Sequence, residues 1–434
     1  MTAAAVTPPI ARAELIAVGS ELLTPFKTDT NSLFVTARLN ELGIVVRRKS
    51  IVGDDPEDLR AAVADALTRA DLVVLCGGLG PTGDDLTRET VAALLGRPLR
   101  EDAGLLDSLR TRFAARGWTM PDNNRRQACV PEGAVVIPNP RGSAPGLWID
   151  EGPRVVLLLP GPPRELEPMI TDLVGGRLAA RVGPERLHRR VLTVAGRGES
   201  HVEELVQPIY DRWRRADPAV LTTVLASPGL VELHLSTRAG GADAAGAVLD
   251  PAAAELGAAL GEHLVSDDGR SLPDVVGGLL QDAGLRVALG ESCTGGLAIA
   301  GLIDVPGSSR YVEAAVVAYS NDAKRRLLGV DSALLETHGA VSEEVAGAMA
   351  EGARRAGRTE VGIGITGVAG PGGGTEDKPV GTVCVAVAGP GGAHEQQTLR
   401  LGGDRAMIRR LAARAALDLL RRVLLGARAT VRGG

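Results

Sequence analysis

Two small nucleophiles, Ser292 and Cys293, stand side by side in Glu291-Ser292-Cys293-Thr294-Gly295-Gly296, after an apolar run and ahead of a helical pattern. A hydroxyl or thiol placed at such a turn is exposed, and nearby backbone N–H groups can stabilise an oxyanion. A cysteine becomes a thiolate readily beside a cation or at a helix N-terminus. A serine needs a base to take its proton, and no histidine lies in this or the other motifs that follow it. The next motif, Tyr319-Ser320-Asn321-Asp322-Ala323-Lys324, ends on one of only four lysines (Lys27, Lys49, Lys324, Lys378) among 48 Lys and Arg residues. Arginine stays protonated, whereas a lysine desolvated by burial and pressed by a cation such as Arg405 can lose its proton and act as a base. A Ser292–Lys324 pair accounts for both the scarce lysine and the missing histidine. The bland alternative makes Lys324 an exposed helical cation.

Three further stretches carry chemistry. Gly364-Ile365-Thr366-Gly367-Val368-Ala369-Gly370-Pro371-Gly372-Gly373-Gly374, continuing to Lys378-Pro379-Val380-Gly381-Thr382, is rich enough in glycine to wrap a phosphate with backbone N–H groups, or else is a mobile surface loop. Gly402-Gly403-Asp404-Arg405 opens a helix; Arg405 can reach a phosphate or carboxylate bidentately, or Asp404 and Arg405 simply cap and solvate the helix start. Near the N-terminus, Cys76-Gly77-Gly78-Leu79-Gly80-Pro81-Thr82-Gly83-Asp84-Asp85 runs from a strand into a helix expected near Asp85. Its glycines allow close backbone approach to a phosphate, and Asp84 with Asp85 can hold Mg²⁺. Alternatively the two acids cap the helix. Gly161-Pro162-Pro163-Arg164 is either a second wall of that pocket or a turn feeding a helix with proline in its first turn.

The elements that must position these residues alternate. Strands over Glu14–Val18, Gly43–Val52, Asp71–Cys76 and Arg154–Leu159, with helices over Asn31–Leu42 and Glu57–Ala70, predict a parallel sheet covered on both faces. Ligand sites of such sheets lie beyond the strands' C-terminal ends. A smaller α+β block follows, with strands at His188–Ala195 and Gly229–Thr237 around a helix at Glu199–Arg215, and then an Ala/Gly-rich helix over Ala239–Ala259. A second α/β sandwich begins near Ser266 and closes on an amphipathic helix, Asp404–Leu425. The expected division is 1–175, 176–262 and 263–434.

Gly19-Ser20-Glu21-Leu22-Leu23, Asp29-Thr30-Asn31, the Gly77–Asp85 loop and Leu159-Pro160-Gly161-Pro162-Pro163 resemble the N-terminal domain of the CinA (competence/damage-inducible) family, which is similar to molybdopterin-binding domains. The resemblance implies metal-dependent cleavage of ADP-ribose to AMP and ribose 5-phosphate. It implies Asp84 and Asp85 at the divalent metal and Gly77, Gly78, Gly80, Thr82, Asn31 and Gly161 around the nucleotide. Where the family usually has a glycine after Glu-Leu-Leu, this chain reads Thr24-Pro25-Phe26-Lys27. The middle block resembles the family's KH-like domain. The motifs from about Leu272 to Leu425 resemble its C-terminal domain, similar to nicotinamide mononucleotide (NMN) amidohydrolases that release nicotinate mononucleotide and ammonia. That likeness implies Ser292 as nucleophile, Lys324 as general base, and Tyr319, Thr366 and Arg405 in the pocket around them, with no cofactor. The implied architecture is α/β: two three-layer sandwiches joined by a small KH-like α+β domain.

Composition narrows the partners. The chain has 434 residues, 44% of them hydrophobic and 23% charged, as in folded globular proteins. A net charge of −5 and three each of Trp, Tyr and Phe argue against a nucleic-acid coat or base-stacking platforms. The middle block, Arg177 to Asp250, has ten arginines against nine carboxylates, and Gly196-Arg197-Gly198-Glu199 lacks the G-x-x-G spacing of RNA clamps. It reads as a spacer or dimerisation element, giving a homodimer as the expected assembly. No apolar run approaches a membrane span, Met1–Ile10 lacks the basic residue of a secretory leader, and four dispersed cysteines suit a reducing cytoplasm. The competing class is a non-enzymatic scaffold that holds a pterin or nucleotide without turning it over.

Overall fold

The computed structural model describes residues 8–392 and 394–432, so most of the Met1–Ile10 stretch read for a leader lies outside the described residues. Among the described residues, no helix is long and apolar enough to cross a membrane. Two compact units are present, 1–188 with 238–245, and 189–237 with 246–434.

In the first unit a six-stranded sheet is ordered Val45–Val52, Arg12–Val18, Leu72–Cys76, Arg154–Leu159, Gly146–Glu151, Val135–Ile137. The first four strands are parallel. Gly146–Glu151 runs antiparallel to both of its neighbours, so the expected parallel sheet is instead mixed. The cause is local: Glu151 and Arg154 pair across a two-residue turn, and a hairpin of that length can only join antiparallel strands. Successive residues feed opposite faces. Val74, Cys76 and Leu157 enter one core, whereas Val73, Leu75 and Val156 enter the other. Burial on both faces explains why these strands read as unbroken apolar runs.

The second unit holds two sheets. Leu221–Ser227, Leu230–Ala239, Arg186–Ala195 and Leu264–Ser266 form the smaller one. Its core joins Val202, Val206 and Tyr210 of the helix Glu199–Trp213 to Leu249, Ala253 and Leu256 of the helix Ala242–Leu260.

The larger sheet is ordered Val312–Val317, Val287–Glu291, Val361–Gly367, Thr382–Ala388, His394–Arg400, with the first three strands parallel and Thr382–Ala388 antiparallel to both of its neighbours. One face packs Leu289, Ile363, Ile365 and Val385 with Leu420 of the closing helix, Arg405–Arg432. The opposite face is built from small residues because the helix Glu343–Gly357 lies almost backbone to backbone on it. A Cβ at Gly364 would fall inside the contact radius of the Ala346 carbonyl oxygen, and one at Gly362 inside that of Ala350. The run Val361-Gly362-Ile363-Gly364-Ile365 is therefore bulky towards one layer and bare towards the other.

Candidate active site

Ser292 is the first residue beyond the strand Val287–Glu291. The register sets Glu291 opposite Val317 on one neighbouring strand and Ile365 on the other. One step further, the Ser292 N–H donates to the Ile365 carbonyl at 2.9 Å, and the Ala318 N–H donates to the Glu291 carbonyl at 2.8 Å. Ser292 thus stands at the C-terminal ends of three parallel strands, where the winding of the sheet reverses and ligands of such folds bind.

Lys324 comes from the helix Asn321–Leu328, whose start is capped by the Ser320 hydroxyl accepting the Ala323 N–H at 3.1 Å. Lys324 and Leu328, one turn apart, face inward. The Lys324 Nζ lies 3.0 Å from Ser292 Oγ, 3.2 Å from the Ala318 carbonyl and 3.4 Å from the Tyr319 carbonyl. The side chain belongs to a residue only 2% exposed, and this burial pushes the ammonium's pKa below its ordinary value. Once neutral, the amine can donate to the two carbonyls while its lone pair accepts the serine proton. Arg405 does not cause the lowering. Its guanidinium donates to the Gly370 carbonyl at 2.7 Å and to the Tyr319 hydroxyl at 2.8 Å. Cys293 is packed in the core, where burial pushes its thiol up to about 11 and keeps it protonated at neutral pH. Of the two neighbouring nucleophiles, only the serine faces a base within hydrogen-bond reach.

Ser292, Lys324, Tyr319, Thr366 and Arg405 line one pocket of about 250 Å³. Thr366 is buried, and its hydroxyl donates to the Ala340 carbonyl at 2.7 Å, fixing one wall. The glycine-rich loop is tied down: Lys378 Nζ donates to the His338 carbonyl at 2.6 Å, and Arg400 donates to the Asp377 carbonyl at 3.0 Å. The buried Glu291 carboxylate accepts the N–H groups of Gly296, Ala298 and Ile299 at 2.9, 3.3 and 2.9 Å, so these three amides are already engaged and do not face an oxyanion.

In the first unit, the C-terminal ends of Arg12–Val18, Leu72–Cys76 and Arg154–Leu159 open into a pocket of about 570 Å³. Gly77, Gly78, Gly80, Asn31, Gly161, Asp84 and Asp85 all line it. Asn31 Nδ2 donates to the Gly161 carbonyl at 2.7 Å, joining two of its walls, and Asn31 Oδ1 is buried without a hydrogen-bond partner. Gly78 has φ +67°, and a Cβ there would strike the Thr87 hydroxyl. The helix begins at Thr87, two residues beyond Asp85, and Asp85 does not cap it. Its carboxylate instead accepts the N–H of Thr82 at 2.9 Å as well as the Thr82 hydroxyl. Thr82 therefore shapes the loop from behind and is not among the lining residues. The Thr24-Pro25-Phe26-Lys27 departure places Lys27 in this pocket, the one cation among its described lining residues, opposite Glu21, Asp29, Asp54, Asp84, Asp85 and Glu165.

Two family descriptions match the chain: CinA C-terminal domain over residues 269–424, and probable molybdopterin binding domain over residues 14–180. The CinA-like protein of Koribacter versatilis is 47% identical over 417 residues, covering 95% of this chain and 100% of its own. The chain belongs to the CinA family. A competence-damage inducible protein of Symbiobacterium thermophilum is 46% identical over 95% of this chain and 99% of its own. Among solved structures, the competence/damage inducible protein of Agrobacterium tumefaciens is 41% identical, covering 35% of this chain and 93% of its own at a TM-score of 0.34.

Two positioning residues of this CinA-family pocket escaped the sequence reading. Glu291 carries the signal of an acid just before a helix start, but its burial needs the strand register to be known. Arg409, one turn after Arg405, donates to the Cys293 carbonyl at 3.1 Å and the Thr294 carbonyl at 2.8 Å, clamping the nucleophile turn from the closing helix. Nothing at sequence level separates Arg409 from the other arginines of that helix.

Proposed function

We propose that the C-terminal pocket hydrolyses the carboxamide of nicotinamide mononucleotide to the acid and ammonia, with Ser292 as nucleophile and Lys324 as base. The observation that carries this reading is the buried Lys324 Nζ 3.0 Å from Ser292 Oγ. Neutral Lys324 takes the serine proton as Oγ attacks the carboxamide carbon. The lysine ammonium then returns that proton to the leaving nitrogen, which departs as ammonia and leaves an ester on Ser292. Lys324, neutral again, takes a proton from water, whose oxygen attacks the ester carbon, and gives it back to Oγ as the acid leaves. Arg405, held at the pocket rim by Gly370 and Tyr319, suits the mononucleotide phosphate.

For the N-terminal pocket the reading is a metal-dependent ADP-ribose pyrophosphatase. Six carboxylates against Lys27 would repel a pyrophosphate unless a cation accompanied it. Asp84 and Asp85 would hold that ion. Among the described residues no three or more His, Cys, Asp or Glu side chains gather into a metal-holding group. Two carboxylates suit Mg²⁺, which binds through one or two carboxylates and fills its shell with water and phosphate oxygens. When bound, the ion supplies charge neutralisation at the pyrophosphate. The chain's own Asn31 and the Gly77–Gly80 backbone would orient the nucleotide. Both substrates, NMN and ADP-ribose, are fragments of a pyridine dinucleotide, so the two reactions read as its cytoplasmic recycling. The test offers NMN and ADP-ribose separately, with and without EDTA. Ammonia release that survives the chelator, beside AMP release that does not, supports both halves; ADP-ribose bound but never cleaved favours the binding-scaffold reading for the N-terminal half.

A further inference from the structure

A hollow of about 660 Å³ in the second unit shares no lining residue with either pocket described above. Its walls are the Gly196-Arg197-Gly198 turn, the end of the strand His394–Arg400 with Leu401, and the middle of the helix Arg405–Arg432. What sets it apart is unbalanced charge. Arg197, Arg400, Arg414 and Arg422 line it, with His263, against the lone carboxylate of Asp418.

That carboxylate is already engaged, because Asp418 pairs with Arg421 at 2.7 Å and with Arg422 at 3.4 Å. Among the described residues, Arg197, Arg400 and Arg414 have no ion-pair partner. Arg197 donates to the His263 Nε2 at 2.9 Å, Arg400 to the Thr382 hydroxyl and the Asp377 carbonyl, and Arg414 to the Ser227 hydroxyl and the Pro228 carbonyl. Arg414 is half-buried, and burial with the nearby Arg410 charge pushes its pKa below the ordinary arginine value, with the Glu232 charge opposing. Arg197 and Arg400 are exposed beside the half-buried Arg414, and an anion among three like charges around one hollow relieves their mutual repulsion. Guanidinium forks match phosphate oxygens bidentately. The volume exceeds that of a pyrophosphate and lies within the range of small-molecule sites. Leu399, Leu401 and Leu411 add an apolar wall against which a nucleoside can lie.

We propose that this hollow is a binding site for a nucleoside diphosphate or a nucleotide of that class, its phosphates among Arg197, Arg400 and Arg414. The concave, partly apolar shape and the chain's net charge of −5 favour a small molecule over a nucleic-acid strand. The site rests on neither proposed activity.

Isothermal titration of the full chain with ADP in EDTA tests it, since the chelator leaves the acid-lined N-terminal pocket without a cation. Saturable binding is expected that weakens with added salt, falls tenfold or more in Arg197→Glu and in Arg414→Gln, and is unchanged in the Asp84→Asn/Asp85→Asn double variant and in Ser292→Ala. Arg197 is exposed, so its charge reversal leaves the core intact, and circular dichroism checks the fold of each variant. If Arg414→Gln unfolds, Arg197→Glu decides alone. Absence of saturation, undiminished affinity in Arg197→Glu, loss of binding in the Asp84→Asn/Asp85→Asn variant, or displacement of ADP by an equal or lower concentration of an oligoribonucleotide would each overturn the proposal.

Discussion

In the proposed cycle Ser292 and Lys324 act as one unit, joined by the 3.0 Å contact between Nζ and Oγ, so either loss should cost nearly as much as both. Ser292→Ala and Lys324→Ala are each expected to cut ammonia release from NMN by about a thousandfold or more, and the double variant hardly further. Cys293→Ala should keep most of the rate, because its thiol is pushed up to about 11 and takes no proton in the cycle. A dead Cys293→Ala beside an active Ser292→Ala would reverse the assignment. The pH dependence has a definite sign. Lys324 must be neutral to act in the proposed cycle, so kcat/KM should fall as pH drops through its lowered pKa, with the limb below the ordinary lysine range. The same burial opposes folding. Between the folded pKa and the higher unfolded one, the unfolded chain binds the extra proton, so stability gained from this group rises with pH; below the folded pKa the full penalty remains. Lys324→Met should therefore be inactive yet raise the unfolding midpoint at neutral pH, whereas a lowered midpoint at retained secondary structure would contradict a lysine held against its charged state.

At the scale of elements, the pocket depends on how closely the helix Glu343–Gly357 lies against the strand Val361–Gly367. Gly364→Ala forces a methyl against the Ala346 carbonyl oxygen, and such overpacking costs about 1–3 kcal/mol. Because Thr366 and the glycine loop follow directly, activity should fall along with the denaturation midpoint; urea unfolding and ammonia release measured together check this. Much of this frame was legible in the sequence. Strands buried on both faces, such as Leu72–Cys76 and Arg154–Leu159, declare themselves as apolar runs, and the nucleophile turn follows the end of one. His394–Arg400 was missed because it is an edge strand with mostly exposed side chains, so its polar text carries no alternation. Gly146–Glu151 is not among the expected strands; it pairs with Arg154–Leu159 through a hairpin whose turn is Gly152 and Pro153. Glu291 and Arg409 were invisible for a different reason: their value lies in which backbone groups tertiary structure brings to them. The same is true of the burial that lowers the Lys324 pKa, for which composition supplied only the residue's rarity.

At the scale of the whole molecule, two pockets of opposite electrostatic character lie in separate units. One gathers Lys324 and Arg405 around a nucleophile; the other gathers six carboxylates with Lys27. On the proposed reading a cation is needed only in the acid-lined pocket, and the two proposed activities should separate cleanly. Asp84→Asn/Asp85→Asn is expected to abolish AMP formation from ADP-ribose while ammonia release from NMN stays within about twofold of the unaltered protein. EDTA should reproduce that pattern, and Ser292→Ala should give its mirror image. Folding is not an escape, since neither Asp84 nor Asp85 is buried and Asn keeps the shape of each side chain. An amide in place of the Asp85 carboxylate can still accept the Thr82 N–H through its oxygen, so the loop retains its internal bond while the negative charge is lost. Undiminished AMP formation in that variant would remove the metal assignment, and loss of ammonia release would show that the two units are coupled.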